Sequence, residues 1–240
     1  MTVQLFLDDS GEATDPNELS VAVAGNLALA ANWQAFQSEW STVLGEYGIK
    51  TFHMKDLQAY QKEFHSWRDK GPQYRDDFVD LLLETMRRNA LQPVGAAIPL
   101  ALHGGLSDGQ RKALLGHGYF TALHAVFQVA ANAAMPYRDE VLEIVLAEKK
   151  KFIGKAQTVF QRIRESHVYG SKLASLDTYG NPNELVQLQA ADLVAWEMTR
   201  FYREPGRPTL EKLEGIGTLG YLEWLSSTDL VEWFDDGEAE

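Results

Sequence analysis

The side chains of this chain best placed to do chemistry are carboxylates that sit where apolar segments end. Val3-Gln4-Leu5-Phe6-Leu7 runs directly into Asp8-Asp9-Ser10-Gly11. A short apolar run closed by turn residues reads as a buried strand, so Asp8 lies where that strand leaves the core. A carboxylate is costly to bury without a partner, and two roles answer for one here. Either Asp8 caps its own turn, a position that Asp and Ser favour, or it binds a metal ion with acids from elsewhere in the chain. Glu148 repeats the pattern at the end of Val141–Ala147. Asp192 does so on a helix. At about 100° per residue, Leu185, Leu188, Ala195, Trp196 and Thr199 share one face, Gln189 borders it and Asp192 falls near its middle. A charge there is destabilising unless it is hydrogen-bonded, paired or metal-bound. Two strand-end acids and one on an adjacent helix face suit one hard divalent ion or a pair of them.

Hydrophobic patterning shows which elements must carry those residues. Leu19–Leu29 is a second strand, joined to the first as an antiparallel pair through the polar, proline-containing turn GEATDPNE. Asn32 is expected to cap a helix over Trp33–Tyr47. Pro72 opens another over Gln73–Asn89, with Phe78, Leu81, Leu82 and Thr85 at helical spacing. Leu91–Leu100 is a third strand, and Ser107–Met135 a long alanine-rich helix broken near Gly116 and Gly118. Val141–Glu148 is a fourth strand, Lys155–Ser166 a helix, and Lys172–Asp177 a short fifth strand. The late helix runs from Glu184 to Tyr202, capped by Asn183 and stopped at Pro205-Gly206-Arg207-Pro208. This order predicts an α/β layered fold. One domain covers 1–204 with a helical insertion at 33–90, and 205–240 form a C-terminal extension of short helices and an acidic tail.

Composition narrows the functions open to the chain. Its 240 residues are 45% apolar and 23% charged, an ordinary globular balance. It has no cysteine, so neither a disulfide framework nor a thiolate zinc site is available. That suits a reducing cytoplasm, the location expected. The N-terminus has no basic segment followed by a signal-peptide core, no apolar run reaches membrane-spanning length, and no membrane partner is expected. A formal net charge of -12 argues against nucleic-acid binding over the whole surface. Metals or a local basic patch override that average. Lys149, Lys150, Lys151 and Lys155 directly follow Glu148, either as a solvated helix start or as a guide for a nucleic-acid strand. His117 and His124 lie on one helix face and read as packing or capping residues. There is no Walker loop, no dinucleotide fingerprint and no serine nucleophile elbow. Ser10 stands where an aspartyl phosphatase loop has its second Asp.

These residues also carry a family resemblance. Leu7-Asp8-Asp9-Ser10-Gly11 resembles the Asp-Glu-Ser-Gly opening of the bacterial and phage family named domain of unknown function 3800, with Asp9 where Glu is usual. Leu188-Gln189-Ala190-Ala191-Asp192-Leu193-Val194-Ala195 resembles its closing motif, Leu-Gln-x-Ala-Asp-x-x-Ala. Phe52-His53-Met54-Lys55-Asp56 is similar to its central element, His followed by an acid. The resemblance extends from residue 3 to about residue 203. It implies a ribonuclease H-like fold, with a five-stranded mixed sheet flanked by helices and a helical insertion between strands 2 and 3. It also implies hydrolysis of phosphodiesters with carboxylate-bound Mg²⁺ or Mn²⁺. Matched to the motifs, Asp8 and Asp192 are metal ligands and Glu148 is the fourth-strand acid, all three catalytic. Asp9 is a further ligand or orients one, as does Gln189. Ser10, His53, Asp56 and Lys149 bind substrate or support the ligands. The expected partner is nucleic acid, DNA or RNA. The alternative is a non-catalytic component of a phage, mobile-element or defence system, docking a protein partner or a second copy through the aromatic segment Tyr221–Phe234.

Overall fold

The computed structural model describes residues 2–15, 17–137, 139–179, 185–216 and 221–226. The chain opens with β1 (Val3–Ser10) and β2 (Ser20–Leu29), an antiparallel pair that sets Asp8 opposite Ala24. α1 (Ala30–Glu46) follows without a break, then α2 (Met54–Gln58), a 3₁₀ segment over Lys62–Lys70, and α3 (Pro72–Arg88). β3 (Gln92–Pro99) returns to the sheet. α4 (Leu100–Gly104), α5 (Asp108–Ala113) and α6 (Gly118–Ala133) lead to β4 (Leu142–Ala147). A 3₁₀ turn at Lys150–Phe152 feeds α7 (Ile153–Ser166), and β5 (Leu173–Tyr179) follows. α8 (Val186–Arg200), α9 (Pro208–Glu214) and β6 (Tyr221–Trp224) complete the described elements.

The result is an α/β fold on a mixed sheet of six strands in the order β5-β4-β1-β2-β3-β6. β2 alone among them runs against its neighbours. The expected five-stranded sheet is thus corrected by one strand, drawn from a segment expected to be helical. β3 is buried from Pro93 to Ile98, so a bare outer edge would leave main-chain polar groups unpaired beside the core. β6 covers that edge, pairing Val94–Ala97 with Tyr221–Trp224.

Two helix starts repay comparison with expectation. α1 begins at Ala30, with Leu29 at its cap and no side-chain hydrogen bond there, so Asn32 is not the capping residue. The Ala30 N–H is instead bonded to the Thr2 carbonyl at 3.0 Å, and β2 passes directly into the helix. The alanine-rich stretch does break as its glycines imply. Ser107 and Gln110 form a capping box on α5, and His117 Nδ1 accepts the Tyr119 N–H at the start of α6. Asn183 and the acidic tail lie outside the described residues.

Helices cover both sheet faces. α6 and α7 pack on the side presented by Leu5, Leu7, Val21, Val23, Ile144 and Leu146. α1, α3 and α8 pack on the side of Phe6, Ala22, Ala24 and Ala147, with an aromatic cluster around Trp33, Trp40, Phe52 and Phe78. α8 lies across β1, β2 and β3. It comes close because Gly25 and Gly95 carry no Cβ: one at Gly25 would meet Phe6 O and Ala191, and one at Gly95 would meet Met198 and Ala24. Among the described residues no helix is long and apolar enough to cross a membrane.

Candidate functional site

Successive residues on a strand point to opposite faces of a sheet, and this separates the two adjacent aspartates. Asp8 follows the parity of Phe6, which packs on the α8 side. Asp9 follows that of Leu5 and Leu7, which pack on the α6 side. Their neighbours agree. Asp8 is repelled chiefly by Asp192 of α8. Asp9 Oδ2 is 2.5 Å from Lys149 Nζ, and that ammonium lies 5.0 Å from the centre of the Tyr119 ring of α6.

On the α8 side, residues of one helix hold the 52–54 segment in place. Gln189 Oε1 accepts the Trp40 indole N–H at 3.2 Å and the Phe52 N–H at 3.1 Å. Asp192, a turn later and 8% exposed, accepts the Met54 N–H on Oδ2 at 2.6 Å. His53 Nδ1 accepts the Lys55 N–H, which turns Nε2 toward Asp192 Oδ1 at 3.7 Å. That is too long for a hydrogen bond. Asp56 is buried and paired with Lys62 at 2.8 Å, so it is spoken for by a charge of its own. Thr51, His53, Asp56, Lys62, Glu63 and Phe64 line a small polar pocket of about 200 Å³ beside this segment.

The electrostatics single out Asp8. Burial pushes its carboxyl pKa well above the usual aspartate range, and the Asp192 and Asp9 charges push it further. The Asp9 N–H, 2.8 Å away, and the more distant Lys149 oppose the rise. Burial likewise raises Asp192, against the pull of His53 and the Met54 N–H. It raises Asp9 too, although Lys149 opposes this by both charge and hydrogen bond. Tyr119 stays a neutral phenol, its pKa driven up by burial and then by Asp9 and Asp8.

Glu148 directly follows β4, and its N–H is bonded to the Tyr179 carbonyl at 3.0 Å. β1 and β4 pair Leu7 with Leu146, and continuing that register sets Ala147 beside Asp8 and Glu148 beside Asp9. Ala147, the last residue of β4, packs on the α8 side. Ser10 ends β1 opposite Ala22. Among the described residues no group of three or more acidic or histidine side chains is arranged to hold a metal ion.

No family model and no curated protein matches the chain. What the site can do follows from its side chains. Asp8 and Asp192 are two oxygen donors of like charge brought into each other's field, and no ion pair reaches Asp8 among the described residues. Such a donor set fits Mg²⁺ or Mn²⁺, which keep several waters and commonly bind through one or two carboxylates plus substrate phosphate.

Several participants were silent in the sequence. Trp40 and the Phe52 and Met54 N–H groups reach α8 over long sequence separations, and Lys62 reaches Asp56 through a local fold-back. Gln189 gave a signal through its place one turn before Asp192, and the 52–56 stretch through its likeness to the central motif.

Proposed function

We propose that the protein is a metal-dependent phosphodiester hydrolase acting on nucleic acid, with Asp8 and Asp192 as the carboxylates that hold Mg²⁺ or Mn²⁺. The observation that carries this reading is the pair itself: two mutually repelling carboxylates, Asp192 buried and Asp8 half-buried at the end of β1, with no cation bonded to Asp8 among the described residues. Such an arrangement costs stability as it stands, and a bound divalent ion would remove the cost. The resemblance at both ends of the site supports the same reading, as does a mixed sheet with its helical segments between β2 and β3. When bound, the ion supplies charge neutralisation to a phosphate and acidifies a coordinated water.

The chain's own residues do the rest. Gln189 and Asp192 hold the 52–54 segment against α8, and the Met54 N–H fixes the Asp192 carboxylate in return. The half-exposed His53 imidazole presents Nε2 3.7 Å from Asp192, where it can meet a phosphate oxygen. Lys149 neutralises Asp9 on the other face and keeps that charge from adding fully to the Asp8 problem. Asp9, paired with Lys149, and Glu148, which follows β4, are supporting acids.

Calorimetric titration with Mn²⁺ and cleavage of a labelled oligonucleotide test the reading. The unaltered protein is expected to bind Mn²⁺ and cut; Asp8→Asn and Asp192→Asn are expected to lose both. Undiminished cleavage in both variants would end the assignment.

A further inference from the structure

A concentrated basic cluster follows β4 in this acidic chain, and it adjoins Asp9. Lys149, Lys150, Lys151 and Lys155 fall within a stretch, KKKFIGK, that contains no acid. Three of these ammoniums are laid over aromatic rings instead of extending freely. Lys149 Nζ is 5.0 Å from the centre of the Tyr119 ring, Lys151 Nζ 4.7 Å from Phe152 and Lys155 Nζ 5.3 Å from Phe120. The rings form one block: Tyr119 stacks on Phe152 at 5.3 Å, and Phe120 meets Phe152 at 5.1 Å. His117, the cap of α6, joins them 5.2 Å from Phe152, within the field of the same lysines. Lys151 and Lys155 are exposed and have no ion-pair partner among the described residues. Of the acids that face this group, Asp9 is taken by Lys149, and Glu12 acts on His117 from the β1–β2 turn.

We propose that this face binds the sugar-phosphate backbone of the nucleic-acid substrate, with Lys151, Lys155 and His117 as phosphate contacts leading to Lys149 and Asp9 at the end of β1, where the neighbouring Asp8 belongs to the other face of the sheet. The inference rests on the proposed hydrolase reading and supplies it with a substrate path. Ammoniums set on one block of packed rings offer several held cations to a line of phosphates. Tyr119 and Phe120 are each 1% exposed and the half-buried Phe152 lies under the Lys151 ammonium, so these rings chiefly position the lysines. Binding is therefore indifferent to sequence, because phosphate contacts carry none of it.

Fluorescence anisotropy with a labelled single-stranded oligonucleotide of about 15 nucleotides, in EDTA to prevent cleavage, tests this against Lys151→Gln/Lys155→Gln. Each phosphate contact contributes about 0.7 to the slope of log affinity against log salt on a single strand, so the double variant should lose about 1.4 of that slope and about tenfold or more in affinity. Lys70→Gln is the control, since Lys70 also lies over rings, Trp67 and Tyr74, but in the opposite layer; it should bind as the unaltered protein does. Oligo-dA and oligo-dT should bind within about twofold of each other. Unchanged affinity and slope in the double variant overturn the proposal, and so does equal binding of polyglutamate. A Mn²⁺ titration on the same samples separates the two readings. If the double variant loses oligonucleotide but the unaltered protein takes up no Mn²⁺, the binding face stands and the hydrolase reading falls. If Mn²⁺ binds and the double variant holds oligonucleotide normally, the reverse follows.

Discussion

α8 carries two buried carboxylates, and the fold treats them in opposite ways. Glu197 is 0% exposed and is gripped by Arg207, whose guanidinium reaches both carboxylate oxygens at 2.8 and 3.1 Å while also holding Glu204 at 2.6 Å. Asp192, five residues earlier, has among the described residues one main-chain N–H and an imidazole 3.7 Å away, and lies within the field of the Asp8 carboxylate. Burial raises the pKa of both. Depth in the fold therefore does not mark an acid for function; what separates these two is whether a dedicated cation was built in beside them. Glu197 belongs to the framework, and Asp192 has no dedicated cation among the described residues.

The comparison can be broken most forcefully at Arg207. Arg207→Met leaves Glu197 buried and unpaired, which is expected to cost about 3–5 kcal/mol in a denaturant melt. Adding Glu197→Leu should recover most of that loss, since replacing a whole buried ion pair by apolar groups is often neutral. A stable single variant would show that Glu197 needs no counter-charge, and the contrast would vanish.

A smaller effect sharpens the other side. Mn²⁺ at about a hundredfold above its dissociation constant should stabilise the unaltered protein by about 2.7 kcal/mol, and Asp8→Asn by nothing measurable. Equal gains in both, followed by thermal melts, would place the ion elsewhere.

The smallest expected effect is a pH dependence without metal. Asp8 and Asp192 hold protons more tightly folded than unfolded, so the folded state binds more protons and stability falls as pH rises. The loss begins near the ordinary aspartate value, about 3.9, and continues through the raised pKa values. Asp9 titrates in the same sense, while Lys149, His53 and Asp56 set the background charge. Asp8→Asn relieves the repulsion and should be the more stable protein by about 1 kcal/mol near neutrality. Its advantage should shrink toward about pH 4, below which both carboxyls are protonated in either state. Melting temperatures of both proteins across that range measure it, and an advantage that grows in acid would reverse the sign.

Much of this was open to reading from the chain. The apolar run before Asp8 and the helical phase of Leu188, Asp192 and Ala195 are local signals, and both acids occupy the elements expected of them. Glu148 shows where such reading stops. Leu142, Ile144 and Leu146 alternate plainly, but whether Glu148 or Ala147 stands next to Asp8 depends on the β1–β4 register, a long-range quantity. β6 failed for a related reason: Tyr221–Trp224 has no strong alternation of its own and is a strand because β3 offers an edge. The Lys149–Tyr119 contact likewise joins parts of the chain that no periodicity links.

One practical consequence concerns shortening the chain. An end placed after residue 204, the boundary suggested by the proline-glycine stretch, would retain every acid of the reacting end. It would also strip Glu197 of its guanidinium and uncover the outer strand, where Leu225 N–H still reaches the Ala97 carbonyl at 2.9 Å. The helix that presents Asp192 is braced from behind by the piece that looks most dispensable, so a trimmed version made for crystals or for activity work should extend at least through Leu225.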